Sequence, residues 1–278
     1  MVKIVTDSAS DLSLEIAKEF DIAIVPLSVN INGKSYRDRY DLLPAEFYAM
    51  LDREKILPTT SQVAPQAFYE VFQKIVDEGH EVLAVIFSSE LSGTFQSAVV
   101  AKGMVKNGRV EVFDTKGASV GHGLTVLEAA KMAKAGYGLE EILTKVKSMA
   151  ERMEHVFVVD SLEMLKRGGR VSATVAFLGG MLNVKPVLQL EGGKIVPLDK
   201  VRGWKKALTK LLSVMEERGK GLESQVIGIS HANYEEMAQE LAGQVRERFG
   251  VKEIFISEIG PVIGSHTGSG TIALFFQS

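Results

Sequence analysis

Three polar clusters in this 278-residue chain hold the residue types that bind or transform an anionic oxygen. They are Thr59-Thr60-Ser61, the stretch from Ser88 to Thr94 with Gly93 inside it, and the stretch from Gly264 to Thr271, where glycines and hydroxyls surround His266. Hydroxyls and an imidazole supply hydrogen bonds, and glycines let backbone N–H groups come close to a ligand. A phosphate loop needs a Gly-Lys-Ser/Thr ending, which none of the three has. A serine hydrolase would use Ser92, then Asp114 or Asp160, then His266. The flanks read Leu91-Ser92-Gly93, however, and not Gly-x-Ser-x-Gly. On this segment alone, capping of the helix that follows is the stronger reading of Ser92, and capping or loop hydrogen bonding accounts for Asp7 and Asp114 as well as a cleft role does. A fourth stretch, Lys166-Arg167-Gly168-Gly169-Arg170-Val171-Ser172, has two readings. One is a solvated helix end closed by glycine. The other is an anion-reading loop, because the guanidinium fork matches carboxylate and phosphate geometry.

These clusters sit on a regular framework. Val82 to Phe87 is an unbroken apolar run rich in β-branched residues, which reads as a strand buried on both faces. Ser88 to Thr94 follows it as a turn, and Phe95, Ala98 and Val99 continue at helical spacing. In an open α/β sheet, ligands sit at such carboxyl ends of strands. Similar strand–helix alternation runs from Lys3 to about residue 153, with a hairpin expected at Asn32-Gly33. Pro58 to Pro65 reads as a polar loop before a helix. Helices are expected over about Gly123 to Ala135 and Leu139 to Met153. Beyond residue 153, a hairpin turned at Gly192-Gly193 interrupts the βα rhythm and points to a mixed sheet. The expected architecture is therefore two α/β domains: residues 1–153 with a parallel sheet and residues 154–278 with a mixed one.

Composition narrows the function. The net charge is −3 and 46% of residues are hydrophobic, so a full core is expected but no broad basic surface for nucleic acid. The chain has no cysteine, which removes disulfides, thiolate catalysis and Cys-ligated metals. Its five histidines, at 80, 122, 155, 231 and 266, form no i, i+4 pair and no HExxH, so no metal site is expected. No apolar run approaches the roughly 20 residues of a membrane helix, and the first residues enter a strand with no signal peptide before it. Cytoplasmic location and no stable membrane insertion are the expectations.

Taken in order, Thr6-Asp7-Ser8, Pro58-Thr59-Thr60-Ser61-Gln62, Ser88 to Thr94, Asp114-Thr115, Arg167 to Ser172 and His266-Thr267-Gly268-Ser269-Gly270 resemble the DegV family of bacterial fatty-acid-binding proteins. The resemblance runs end to end. It departs at Gln62-Val63-Ala64-Pro65, where the family usually places proline directly after the glutamine. It implies a long-chain fatty acid buried in the protein, with its carboxylate bound by Thr60 and Ser92, aided by Ser61 and Gly93, and with His266 in the same hydrogen-bond network. It also implies a separate fatty acid kinase that phosphorylates the bound carboxylate, with Arg170 tied to that step, and a chain that is a non-catalytic carrier without a cofactor. Two expectations about charge and exposure follow. His266 should favour its charged form beside a carboxylate, and Arg170 should lie on an exposed loop. The rival readings are an enzyme acting on a small phosphorylated or carboxylated substrate in the same cleft, and an esterase using Ser92 and His266.

Overall fold

The structure is a computed structural model that describes residues 1–171 and 183–278; Ser172, the end of the basic motif, lies outside them. The chain runs through β1 (Val2–Asp7), α1 (Leu14–Glu19), β2 (Ile22–Val25), β3 (Ser28–Ile31), β4 (Lys34–Arg37), α2 (Pro44–Glu54), β5 (Thr59–Ser61), α3 (Pro65–Asp77), β6 (Glu81–Ile86), α4 (Thr94–Met104), β7 (Val110–Asp114), α5 (Ser119–Lys134) and α6 (Leu139–Arg152). Strands order as β2-β1-β6-β7, all parallel, which is the sheet expected for the first half. The β3–β4 hairpin turns at Asn32 and Gly33, with φ of 50° and 79°. Positive φ at both central residues is what a two-residue type I′ turn requires. The expected polar loop at Thr59-Thr60-Ser61 is instead β5. It pairs antiparallel with β3 and sets Thr60 opposite Val29. Three polar residues carry no strand pattern of their own; the ladder hydrogen bonds of β3 impose it.

The second half contains β8 (Met153–Val158), α7 (Glu163–Arg167), β9 (Val184–Glu191), β10 (Lys194–Arg202), α8 (Trp204–Arg218), β11 (Val226–His231), α9 (Glu235–Phe249), β12 (Glu253–Glu258), α10 (Pro261–Thr267) and β13 (Ile272–Gln277). The strand order is β10-β9-β8-β13-β11-β12, parallel only between β11 and β12. This is the expected mixed sheet. The expected Gly264–Thr271 loop is half helix, since α10 reaches Thr267. Its low helix propensity is overcome by packing. Pro261 sits in the first turn, where its missing N–H costs nothing, and Gly264 lies so flat on Tyr48 that a Cβ there would meet the Tyr48 hydroxyl at 2.5 Å.

Strand alternation builds the layers. On β6, Leu83 and Val85 face one apolar cluster, while Val82, Ala84 and Ile86 face another. The second cluster is completed by α2, α3 and α4 residues such as Phe47, Phe68 and Ala98. The first holds α5 and α6, through Val120, Leu124 and Ile142, and continues into Phe157, Ala273 and Phe275 of the mixed sheet. The opposite face of that sheet, with Val156, Val158 and Leu274, packs on α8 and α9. Helix α5 is thus sandwiched between the two sheets. That position explains its start at Ser119 rather than the expected Gly123. Gly121 lies against His155 and Phe275, and Gly123 against the Ser10 carbonyl, where a Cβ would sit 2.4 Å away. These glycines weaken the helix pattern in the sequence because close packing needs them.

A buried polar group closes the junction between the halves. Asp11 accepts from Arg39 (3.0 Å), from the Gly260 N–H (2.7 Å) and from the Ser119 hydroxyl, while Arg39 also donates to the Glu258 carbonyl at 2.6 Å. Asp38 lies beside them, fully buried. Burial pushes its pKa up to about 7, against the opposing pull of Arg39. Because this value lies above that of the unfolded chain, the unfolded state gives up the proton first. Stability therefore falls as pH rises from about 4 to about 7 and is level beyond. The neutral mimic Asp38→Asn should gain on the wild type across that window in urea midpoints and hold a constant lead above it. A gap that does not change with pH would mean that Asp38 stays charged when folded.

Candidate functional site

A cavity of about 400 Å³ lies between the two sheets. One end is polar and near the surface, lined by Thr60, Ser61, Gln62, Ser92, Gly93, Arg170 and His266. Ser61 and Gln62 there are exposed. The walls are apolar, from Leu27, Phe87, Leu91 and Leu165 to Phe157, Leu190, Ile195 and Phe275. Four segments that are distant in sequence supply the polar end, so it forms only when both halves pack. The β9–β10 hairpin covers one side. The Ser88 hydroxyl donates to the Gly193 carbonyl at 2.7 Å, and Glu90 pairs with Lys116 at 3.2 Å and with Lys194 at 3.5 Å. A side chain on Gly193 would put its Cβ 2.5 Å from that hydroxyl, at a φ of +86°.

All six expected site residues converge on this end, and each is held in place. Thr60 Oγ1 lies 2.8 Å from His266 Nε2, a hydrogen bond that joins β5 to α10. The other imidazole nitrogen, Nδ1, packs on Gly168, where a Cβ would come within 2.1 Å of it. Gly168 is therefore more than a helix stop: its missing side chain makes room for His266. Ser92 accepts from the Thr94 N–H at 3.2 Å and lies 3.0 Å from the Thr94 hydroxyl, so it steadies the start of α4 and lines the cavity at once. Ser61 accepts from the Asn30 amide at 3.0 Å. Gly93 lies against the Gln62 side chain, and that amide in turn donates to Ser97 at 3.0 Å.

One expectation is corrected here. Arg170 is half-buried rather than exposed, and its side chain lines the cavity. The guanidinium donates from Nε to the Leu91 carbonyl at 3.1 Å and from a terminal nitrogen to the Gly168 carbonyl. Gly168 and Gly169 do turn the chain, Gly169 at φ +69°, but they turn it inward across the cavity mouth. No acidic side chain among the described residues pairs with Arg170, so its positive charge is balanced by carbonyl dipoles alone. The protein's own groups disfavour a charged His266. Burial, with the nearby Arg170 adding to it, pushes its pKa down to about 4. The protein's own fixed positive charge at this end is therefore Arg170, and a carboxylate beside His266 would pull the imidazole pKa back up.

The esterase geometry is not assembled. Ser92 and His266 share no hydrogen bond, and among the described residues no carboxylate orients the imidazole as a triad would require. Asp160 pairs with Lys185 instead. Asp114 accepts from the Ser89 and Lys116 N–H groups at 3.2 and 3.0 Å. Asp7 accepts from Ala9 and Phe87, each at 2.9 Å, tying the end of β1 to that of β6. His122 Nε2 is 3.8 Å from Asp7, yet burial holds the imidazole neutral, with its pKa down to about 3, so the contact is polar and not an ion pair. Among the described residues no group of three or more His, Asp or Glu side chains could hold a metal ion, and no helix is long and apolar enough to cross a membrane.

The deep wall escaped sequence reasoning. His155, Phe157 and Phe275 read as ordinary strand residues, and only the β8–β13 register, which sets His155 opposite Phe275 and Phe157 opposite Ala273, turns them to the cavity.

An apolar cavity between two α/β sheets, with a cationic and hydroxyl-lined opening, is chemically suited to an amphiphile with an anionic head. The comparisons give this class a family. The family model described as "Uncharacterised protein, DegV family" matches residues 1–278. A DegV domain-containing protein of Caldanaerobacter subterraneus is 41% identical over 276 residues, covering 99% of this chain and 98% of the relative. Among solved structures, a DegV family protein from Thermus thermophilus, described as fatty acid binding, is 36% identical. It superposes with a TM-score of 0.93, with 100% of this chain and 99% of that one covered. DegV of Bacillus subtilis, described as a fatty acid binding protein, is 32% identical with a TM-score of 0.90, and 99% of each chain is covered. The chain belongs to the DegV family.

Proposed function

We propose that this chain binds one long-chain fatty acid and presents its carboxylate, from a cytoplasmic pool, to a fatty acid kinase that forms the acyl phosphate. The observation that carries the reading is Arg170. It is a half-buried guanidinium with no acidic partner among the described residues, set beside His266 and at the polar end of an apolar cavity. A charge held in this way seeks an anion, and the apolar depth behind it seeks a hydrocarbon tail. Burying about sixteen carbons at ~0.8 kcal/mol per methylene gives at most about 12 kcal/mol before the costs of association. The tail thus supplies most of the affinity, and the head supplies aim. The fatty acid binding of the Thermus and Bacillus relatives supports the same ligand class.

The test pairs ligands that differ only in the head. Delipidated protein should bind palmitic acid at least tenfold more tightly than hexadecanol, equivalent to about 1.4 kcal/mol. Equal affinities would remove the carboxylate site. In the same assay Ser92→Ala should keep the acid but lose roughly 1–2 kcal/mol, the worth of one hydrogen bond to a charged group. Its phosphorylation by a kinase should fall further, because the head is mis-aimed. Complete loss of the lipid from a folded Ser92→Ala protein would contradict this division between tail and head.

A further inference from the structure

Thr94 is fully buried in the first turn of α4, behind the cavity wall, and its hydroxyl lies 3.0 Å from that of Ser92, which lines the cavity. The Thr94 oxygen accepts from the Val63 N–H at 3.4 Å, and the Ser92 oxygen accepts from the Thr94 N–H at 3.2 Å. A hydroxyl has one proton to give and two lone pairs. If Ser92 donated to Thr94, the Thr94 proton would be buried without an acceptor among the described residues, which is costly. In the opposite direction Thr94 donates to Ser92, and every buried donor is satisfied. The Thr94 N–H and O–H then fill both lone pairs of Ser92. Only the Ser92 proton is left to give. Ser92 is half-buried at the opening, so a ligand head can reach it.

We propose that Thr94 is a positioning residue that makes Ser92 an obligate hydrogen-bond donor and so favours a carboxylate head over an alcohol. The inference rests on the carrier reading above and adds the residue that aims the Ser92 proton. Hydrogen bonds in series polarise one another, so the run from the Val63 N–H through Thr94 to Ser92 strengthens the last donor towards a charged acceptor. The same run ties the segment just after Thr60 to the Ser92 turn, so the two hydroxyls proposed to bind the head are held by one network. Filling both lone pairs of Ser92 also leaves none free to attack an ester, in keeping with the unassembled triad.

The experiment measures the affinity of delipidated protein for palmitic acid and for hexadecanol in the wild type, Thr94→Val, Thr94→Ser, Ser92→Ala and the double variant Ser92→Ala/Thr94→Val. Thr94→Val keeps the branched shape and loses the hydroxyl. It should lower the acid-over-alcohol preference about threefold or more, and by no more than Ser92→Ala does, while hexadecanol binds as before. Thr94→Ser, which keeps the hydroxyl, should restore the preference to within about twofold. In the Ser92→Ala background the valine should change the preference by less than about twofold, because its effect passes through Ser92. A wild-type preference retained in Thr94→Val overturns the inference. So does a loss shared equally by acid and alcohol, which marks a packing role, and so does a full further loss in the double variant. Thr94→Ala decides in the same way if the valine variant does not fold. These outcomes leave the carrier reading standing, whereas a wild type without preference for the acid removes the carboxylate site and this inference together.

Discussion

Asp11→Ala should destabilise the folded chain by about 3–5 kcal/mol, because it strands the buried Arg39 guanidinium without its partner. Arg39 is 7% exposed and Asp11 fully buried. The carboxylate also accepts from the Gly260 N–H, just before α10, and from Ser119 at the start of α5. One substitution therefore loosens the two helices that frame the cavity. Urea denaturation should show the loss as a lower midpoint with an unchanged slope. The double variant Asp11→Ala/Arg39→Met should recover much of it, since the stranded charge is then gone. A double variant as unstable as the single one would place the energy in the backbone contacts of Asp11 and not in the ion pair.

Arg170→Ala should slow kinase-dependent acyl phosphate formation at least tenfold, about 1.4 kcal/mol of lost transition-state stabilisation. Its guanidinium is fixed at the cavity mouth by the Leu91 and Gly168 carbonyls, which leaves further N–H donors to meet an anionic head. The same variant should lose affinity for palmitic acid and not for hexadecanol, because the tail contacts are untouched. Arg170→Lys should rescue only in part, since it keeps the charge and loses the planar fork. Normal turnover in Arg170→Ala would return the residue to the role of a loop tether. Equal losses for acid and alcohol would make it a packing residue.

Much of this site was legible in the sequence, for a physical reason. Glycines and hydroxyls clustered around a histidine have few packing uses, so His266 stands out from the residues alone, while Thr60 and Ser92 enter through the family resemblance. The buried β6 run and the Asn32-Gly33 turn were legible because their patterns are local. What failed depended on partners distant in sequence. The polar residues of β5 become a strand only against β3. The glycine-rich start of α5 becomes helix only where His155, Phe275 and the Ser10 carbonyl crowd it. The exposure of Arg170 was misjudged because the carbonyl of Leu91, 79 residues away in sequence, holds its side chain at the cavity mouth. The Asp11–Arg39 pair, 28 residues apart, left no sequence pattern at all.

The most direct measurement is organic extraction of the protein purified from cells in its native state, followed by quantitative mass spectrometry. The account expects close to one long-chain fatty acid per chain. An extract without fatty acid, or one in which a small phosphorylated compound holds the site, would contradict it.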